Sequence, residues 1–299
     1  MKKGWRTIAT TACMAGLLAA GTDAADAQER VRWKLASSYT STLDVLGQNI
    51  LRLIDNIEVM SDGKFEIEFH EPGELVPAAE TVDAVSDGRV AAAWAGAGWF
   101  AGHDSAFNFF STVPFGPTMG EYLAWMYSGG GLDLAREMFR EYGVYNIPCG
   151  LIPPEASGWF RKEIRSLDDL KGLHMRFFGL GAKVVEKLGV KTEQLPPGDI
   201  LAALESGKLD ATEFSLPAMD QPLGFYKVTK YYYFPGWHQQ ATLFDLYINL
   251  AVWESLAESQ RAIIEQACGD VMLRMVAAAG RRQRGHVGHC GALLPPTGW

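Results

Sequence analysis

The sequence predicts an α/β protein made of two similarly built lobes with a ligand cleft between them. Three observations indicate this fold class. The chain opens with an alternating strand pattern, a helical pattern and a second alternating strand, as in the βαβ unit of a parallel sheet. A short helix, a glycine and a strand then occur in each half of the chain. The 299 residues are also sufficient for two lobes of ordinary size.

The first residues have the pattern of a secretory signal peptide. Basic residues among the first six precede an apolar stretch at 8–20, and the sequence A-D-A at 25–27 offers a cleavage site of small residues. The apolar stretch is too short to span a bilayer. We therefore expect a signal peptide at 1–27 and, because the pattern is bacterial, a mature protein in the periplasm.

The elements of the first lobe are predicted from the spacing of apolar residues and from turn signals. They are a strand at 31–36, a helix at 43–60, a turn at 61–64, a strand at 65–69, a helix at 81–90 that ends near Gly88, and a strand at 91–95. A helix at 132–142 follows three glycines, where we expect a loop that needs open backbone geometry. The chain has neither a Walker pattern nor GxGxxG after a strand, which argues against a nucleotide site.

The second lobe repeats the helix–glycine–strand pattern. The remaining predicted elements are a helix at 200–209 that ends near Gly207, a strand at 210–214, an aromatic strand and turn at 231–237, an apolar strand at 243–250, and one or two helices at 253–279. We expect lobe I at 28–152 and 242–276, and lobe II at 153–241.

The apolar pattern collapses after Ala279, and we expect an aberrant or disordered tail at 277–299. His286, His289 and Cys290 do not predict a metal site there, because the glycine spacing offers no helix or strand to fix the ligands.

Charge and cysteine use argue against several function classes. A net charge of −8 disfavours nucleic acid and anionic membrane surfaces as partners. Cys149, Cys268 and Cys290 are too few and too scattered for a disulfide framework, even in an oxidising compartment. No C-x-x-C motif supports a redox or zinc function, and no nucleophile elbow supports a hydrolase.

One cation and one anion are predicted on neighbouring apolar strands. Arg176 lies in an apolar run at 175–178, and Glu213 lies in the strand at 210–214. Isolated charges of opposite sign in apolar surroundings favour a dry pocket for a small charged ligand over a catalytic set. The structural alternative is a salt bridge from Arg176 to Asp168, Asp169 or another acid.

Several short motifs occur in order between Arg30 and Val276. They include GELVPA, DAVSDGRV, LDDLKGLHMR, GDILAALESGKLDATE and KYYYFPGW. Together they resemble the solute-binding proteins of tripartite ATP-independent periplasmic (TRAP) transporters, most of all the branch that binds 2-oxo acids. The resemblance implies two lobes that close over a small carboxylate, TRAP membrane permease subunits as partners, and no enzymatic activity. It also implies a possible homodimer, against which the atypical ending speaks.

The resemblance also assigns the site. Arg176 is expected to bind the carboxylate of the ligand, because a guanidinium offers two parallel donors. Glu213 and the backbone carbonyl of Phe214 are expected to hold a sodium or calcium ion, with Glu213 not pairing with Arg176. Glu155 and Gln239 are expected as further ligands. The branch usually has glutamine at 155, tryptophan at 214 and glutamate at 239, so the exchange between 155 and 239 conserves charge.

Aromatic residues complete the expected cleft. Tyr39 and Trp99 follow strands of lobe I and are expected as pocket walls, and Trp237 is expected at a strand end facing the cleft. The function expected is capture of a 2-oxo acid such as pyruvate. The alternatives are a 2-hydroxy acid or dicarboxylate as ligand, or a periplasmic carboxylate-processing enzyme with an acid or base among Glu155, Glu213 and His238.

Overall fold

The computed structural model describes residues 30–290, and the side chains of residues 30–279. The strands are β1 Val31–Ser37, β2 Phe65–His70, β3 Ala92–Ala95, β4 Val144–Ile152, β5 Gly158–Phe160, β6 His174–Arg176, β7 Lys191–Glu193, β8 Ala211–Thr212, β9 Tyr231–Tyr233 and β10 Thr242–Asn249. The α-helices are α1 Leu46–Met60, α2 Thr81–Ser86, α3 Met119–Ser128, α4 Gly131–Glu141, α5 Gly179–Lys187, α6 Pro197–Glu205, α7 Pro217–Leu223, α8 Leu250–Ser255 and α9 Glu258–Cys290. The expected signal peptide at 1–27 lies outside the described residues.

Lobe I is built on a five-stranded sheet in the order β2-β1-β3-β10-β4. β1 pairs in parallel with β2 and β3, which confirms the predicted βαβ opening. β10 runs antiparallel to β3 and β4. Both faces are covered by helices, and the strand interiors are accordingly apolar, with Leu35, Trp94 and Leu246 fully buried.

Lobe II is built on a second five-stranded sheet in the order β7-β6-β8-β5-β9. β6 pairs in parallel with β7 and β8, so Arg176 lies opposite Thr212, the residue before Glu213. The two helix–glycine–strand segments thus lie in different sheets. Gly88 and Gly207 both have positive φ, 74° and 76°, as a left-handed helix cap requires.

The chain crosses between the two sheets at 153–157 and at 234–241. Helix α9 packs on β4 and α1 of lobe I and on α7 of lobe II. Among the described helices, none combines the length with the apolar character that crossing a membrane requires.

One disulfide corrects the expectation drawn from the sparse cysteines. Cys149 in β4 and Cys268 in α9 are bonded, with their Cα atoms 4.3 Å apart and a sequence separation of 119. The sequence separation hid the pairing, because the fold brings α9 back onto β4 only after the whole of lobe II has been inserted. A cross-link over so long a segment stabilises a fold by about 4 kcal/mol.

The tail also differs from the expectation. Helix α9 continues to Cys290, through the glycine-interrupted stretch in which we expected neither helix nor strand. The helix is carried forward by the well-packed turns before it, since propagation of an existing helix is easier than nucleation. The rest of the expected tail, 291–299, lies outside the described residues.

Candidate ligand-binding site

A small pocket with a volume of about 20 Å³ lies between the lobes. Lobe I lines it with Tyr39, Leu46, Gly96, Trp99, Ser111, Thr242 and Phe244, lobe II with Arg176, Phe178, Phe214 and Ser215, and the two crossing segments with Glu155 and Gln239. The structure therefore brings together six of the residues predicted from sequence. Charged and amide groups come from lobe II and the crossings, whereas lobe I contributes hydroxyl and aromatic groups without any charge.

Arg176 is placed by the carboxyl end of β6 and is 2% exposed. Its Nε donates to the carbonyl of Leu195 at 3.1 Å, and its Nη1 donates to the carbonyl and to Oε1 of Glu213, both at 2.8 Å. Nη2 donates no hydrogen bond within the described part of the chain. This guanidinium lies beside the rings of Phe178 and Phe214, which limit the access of water.

Glu213 departs from the expectation that it does not pair with Arg176. The parallel register of β6 and β8 sets the two side chains side by side, and they form a buried ion pair at 2.8 Å. Asp168 and Asp169 are exposed and pair elsewhere. Glu213 Oε1 also accepts from the backbone N–H of Phe178 at 2.6 Å. Burial raises the pKa of Glu213, but the charge of Arg176 and the His238 hydrogen bond outweigh burial and lower it overall.

The second oxygen of Glu213 faces a different set of groups. Its Oε2 lies 3.4 Å from Nε2 of His238 and 3.3 Å from Nε2 of Gln239. The Gln239 amide also donates to Glu155 Oε2 at 2.8 Å. The exchange of glutamate and glutamine between positions 155 and 239 thus takes place between two residues that are hydrogen-bonded to each other, so the negative charge stays within this pair.

Of the two buried carboxyl groups, Glu155 and Glu213, Glu155 is the one whose charged form is disfavoured. It is 2% exposed, and burial, followed by the negative charge of Glu213, raises its pKa well above the usual range. Arg176 opposes this shift without cancelling it. Because two buried carboxyl groups lie near the single guanidinium of Arg176, a further positive charge at the site would be electrostatically favourable.

The donor set fits a hard cation. Ligand atoms of Glu155, Glu213 and His238 lie within 4.8 Å of one another, and all three residues are buried. A half-turn of the Gln239 amide exchanges its nitrogen and oxygen and turns an amide oxygen toward both carboxylates. Carboxylate and amide oxygens are the ligands that sodium and calcium prefer, whereas three histidines or thiolates would favour zinc.

Tyr39 and Trp99 form the aromatic wall that was expected. The indole N–H of Trp99 donates to the Tyr39 hydroxyl at 3.3 Å, and the Trp99 ring meets Phe178 of lobe II edge-on, with ring centroids 5.4 Å apart. Burial raises the pKa of Tyr39 to about 12, so the hydroxyl keeps its proton.

Trp237 was expected to face the cleft, but it is not among the residues that line the pocket. It stacks on Phe115 with ring centroids 5.5 Å apart and leans on Phe177 at 6.0 Å. The backbone is consistent with this placement, because the Phe115 N–H donates to the Trp237 carbonyl at 2.8 Å and Phe115 is itself exposed. The next residue, His238, is the one that turns inward, and it is fully buried.

Several residues of the site were missed in the sequence. Ser215 lines the pocket, and its backbone N–H donates to Asp220 Oδ1 at 3.0 Å. The other oxygen of Asp220 accepts from the indole of Trp159 and the hydroxyl of Tyr232, at 2.9 and 3.2 Å. Spacing along the chain gives no clue to such a network, and the strand before it spans just two residues. An aspartate in the first turn of a short apolar helix was the one signal in the sequence.

The chain matches the model of bacterial extracellular solute-binding protein family 7 over residues 36–290. It is 36% identical over 247 residues to the monocarboxylate 2-oxoacid-binding periplasmic protein of a Nostoc species, covering 82% of this chain and 67% of that protein. The chain therefore belongs to this family of TRAP transporter receptors, which are solute-binding proteins and not enzymes. The likeness extends beyond Val276, where we expected it to stop.

Two solved structures place the fold in the same class. A TRAP solute-binding protein of Bordetella bronchiseptica is 38% identical with a TM-score of 0.86, covering 89% of this chain and 79% of that one. That protein is a mixed-occupancy dimer with calcium and picolinate in one site. A TRAP solute-binding protein of Pseudoalteromonas atlantica, with bound sodium and pyruvate, is 31% identical with a TM-score of 0.85, covering 88% and 80%.

Proposed function

We propose that this protein is the periplasmic receptor of a TRAP transporter and captures a 2-oxo acid such as pyruvate for the membrane permease subunits. The observation that carries the proposal is the buried Arg176, whose Nη2 is free of hydrogen bonds within the described residues at the wall of the pocket between the lobes. A buried guanidinium with a donor that the protein leaves free favours an anionic partner of small size. The pyruvate and picolinate of the two solved relatives are both monocarboxylates with an acceptor atom on the carbon that bears the carboxylate, and pyruvate is itself a 2-oxo acid, which supports the same class here.

Arg176 would take the carboxylate of the ligand through Nη2. A second, parallel hydrogen bond needs Nη1 or Nε, and Glu213 occupies Nη1. Binding is therefore coupled to Glu213, which either shares Nη1 or turns Oε1 away to the Phe178 N–H from which it already accepts. Phe178 and Phe214 on either side exclude water from this exchange and strengthen it.

Glu155, Glu213, Gln239 and the backbone carbonyl of Phe214 are the residues that we propose to hold a sodium or calcium ion. A bound cation supplies positive charge at these oxygens and at the oxygens of the ligand. The raised pKa of Glu155 supports the proposal, since a cation would offset the repulsion between Glu155 and Glu213. Calcium is bound in the B. bronchiseptica relative and sodium in the P. atlantica relative.

The size of the ligand limits its affinity. Pyruvate has about six heavy atoms, so at about 1.5 kcal/mol per atom its binding free energy reaches at most about 9 kcal/mol. That corresponds to roughly micromolar or somewhat tighter binding. A site so limited must use nearly every ligand atom, which the combination of Arg176 and an ion achieves.

The experiment is isothermal titration calorimetry of chelator-treated protein with pyruvate, lactate and succinate, each with sodium, calcium or neither. We expect pyruvate to bind most tightly and to require an ion. Arg176→Lys keeps a positive charge beside Glu213 but removes the planar fork, and we expect it to abolish measurable binding. Arg32→Lys, in an exposed pair with Glu66, is the matched control.

Each part of the proposal has its own contrary outcome. Tighter binding of lactate or succinate would move the assignment to a 2-hydroxy acid or a dicarboxylate. Equal pyruvate binding without ions would overturn the ion site. Pyruvate binding retained in Arg176→Lys would remove Arg176 from the site, and turnover of pyruvate by the purified protein would support an enzyme instead.

We also propose a homodimer, since the solved B. bronchiseptica relative is a dimer and helix α9 continues to Cys290. Light scattering coupled to size exclusion measures the mass directly. A single species at the mass of one chain would refute the dimer without touching the site.

A further inference from the structure

Ser111 carries a buried hydroxyl without a partner. Its residue is fully buried and lines the pocket, yet Oγ finds no hydrogen bond among the residues that the structure describes. The backbone at this position is held on both sides. The Ser111 N–H donates to the Asn108 carbonyl at 3.1 Å, and the Leu243 N–H donates to the Ser111 carbonyl at 2.9 Å. The hydroxyl is thus presented to the pocket by the fold.

Tyr39 presents a second hydroxyl to the pocket. Its oxygen accepts from the Trp99 indole at 3.3 Å. The hydrogen of this hydroxyl has no acceptor among the residues that the structure describes, so it is available to a ligand. Tyr39 therefore faces the pocket as a donor.

The two hydroxyls lie close together around Gly96. A Cβ atom built on Gly96 would be 3.5 Å from Ser111 Oγ and 3.7 Å from Tyr39 Oη. Both hydroxyls belong to lobe I, and the same pocket is lined by Arg176 of lobe II. The lobes thus offer donors to one small ligand from both sides.

We infer that Tyr39 and Ser111 are specificity-determining donors, which bind an oxygen of the ligand that Arg176 does not hold. The inference rests on the proposed function and deepens it, because it selects carboxylates that carry a second acceptor oxygen next to the carboxylate. A 2-oxo acid supplies that oxygen. Propionate, which has hydrogens there, leaves both hydroxyls unpaired, and a 2-amino acid brings an ammonium donor against the Tyr39 donor.

The test compares pyruvate and propionate, by calorimetry and by competition, in the wild-type protein and in Ser111→Ala with saturating calcium. We expect Ser111→Ala to weaken pyruvate about tenfold, as the loss of one buried hydrogen bond does, and to leave propionate nearly unchanged. The midpoint of thermal unfolding without ligand should stay the same or rise, because the variant removes an unpaired buried hydroxyl. If the Ser111 hydroxyl had a purely structural role, Ser111→Ala would lower the midpoint of thermal unfolding instead.

Thr112→Val is the matched control. The Thr112 hydroxyl is also buried and unpaired among the described residues, but Thr112 does not line the pocket, so its loss should leave pyruvate affinity unchanged. Tyr39→Phe should weaken pyruvate as Ser111→Ala does. It also leaves the Trp99 N–H without its acceptor, so Ser111→Ala is the decisive variant.

Wild-type affinity in Ser111→Ala, or an equal loss for pyruvate and propionate, would overturn the inference while the proposed function stands. Failure of the wild-type protein to bind pyruvate with either ion would overturn the proposed function itself.

Discussion

The strands of lobe I run for four to nine residues, whereas those of lobe II span two or three. Lobe I has a large apolar core and a disulfide, and it gives the pocket hydroxyls and aromatic rings. Lobe II gives the pocket its charges, and the same ion pair joins β6 to the end of β8. We therefore expect the stability of lobe II to depend on the groups that we propose to bind the ligand, and that of lobe I to depend on its core and disulfide.

Glu213→Ala should have the largest effect. It leaves Arg176 buried without its counter-charge and removes the acceptor of the Phe178 N–H, so we expect a loss of about 3–5 kcal/mol in the free energy of unfolding. Denaturant unfolding followed by tryptophan fluorescence measures it. The control in the same lobe is Glu193→Ala, which breaks a more exposed pair with Lys208 and should cost below about 1 kcal/mol. Equal costs would contradict the dependence of lobe II on its buried pair.

Removal of the disulfide tests the covalent support of lobe I. Because the bond between Cys149 and Cys268 spans a sequence separation of 119, the Cys149→Ala, Cys268→Ala double variant should lose about 4 kcal/mol in the free energy of unfolding. Reduction of the wild-type protein should have the same effect, and the double variant should not respond to reductant. Pyruvate affinity measured under native conditions should stay unchanged, since neither cysteine lines the pocket. An affinity that falls with reduction would show that the link holds the site together.

Patterns of period two and 3.6 predicted the α/β class, the order of the early elements and the glycine caps at Gly88 and Gly207, because those features are local. The pairing of Arg176 with Glu213 depends on the register between two short strands, and the disulfide depends on how α9 returns to β4. Neither is encoded in spacing along the chain. The isolated charges pointed to Arg176 and Glu213, and the family resemblance supplied most of the other residues that line the pocket. Both failed where partners are chosen by tertiary contacts, as at Trp237.

A pH series compares one buried aspartate in each lobe. Burial is the main cause that raises the pKa of Asp220 in lobe II and of Asp245 in lobe I from 3.8 to about 7. Between about pH 4 and about pH 7, Asp220 and Asp245 hold more protons in the folded state than in the unfolded state. The free energy of unfolding should therefore fall as pH rises through this range. Each group contributes at most about 1.4 kcal/mol per pH unit.

Asp220→Asn and Asp245→Asn should each reduce the dependence of the unfolding free energy on pH, and Asp87→Asn, at an exposed position, is the surface control. Urea unfolding at several pH values measures it. The two buried aspartates differ in their contact with the pocket. Asp220 holds the Ser215 N–H at the pocket, whereas Asp245 bonds Asn146 and Tyr247 within lobe I. Affinity should therefore respond to Asp220→Asn and not to Asp245→Asn, and the reverse would contradict this division.

Gly98→Ala tests the contact through which the lobes meet. A Cβ on Gly98 of lobe I would lie 2.5 Å from Cζ of Phe178 in lobe II, so closure around a ligand would force the ring aside. We expect about tenfold weaker pyruvate binding through faster dissociation, with little change in unfolding without ligand. Gly102→Ala is the control, since a Cβ there meets nothing within 4 Å. Stopped-flow dissociation measures the rates.

A second change separates closure from a direct effect on the ligand. Phe178→Leu shortens the side chain that the added methyl group would strike, so in the Gly98→Ala background it should recover much of the lost affinity, although alone it removes the edge-on contact with Trp99. Such opposite signs in one double-mutant cycle identify a steric contact between the two lobes. If the losses simply add, the tight approach at Gly98 does not control closure, and the difference between the lobes lies in their charges alone.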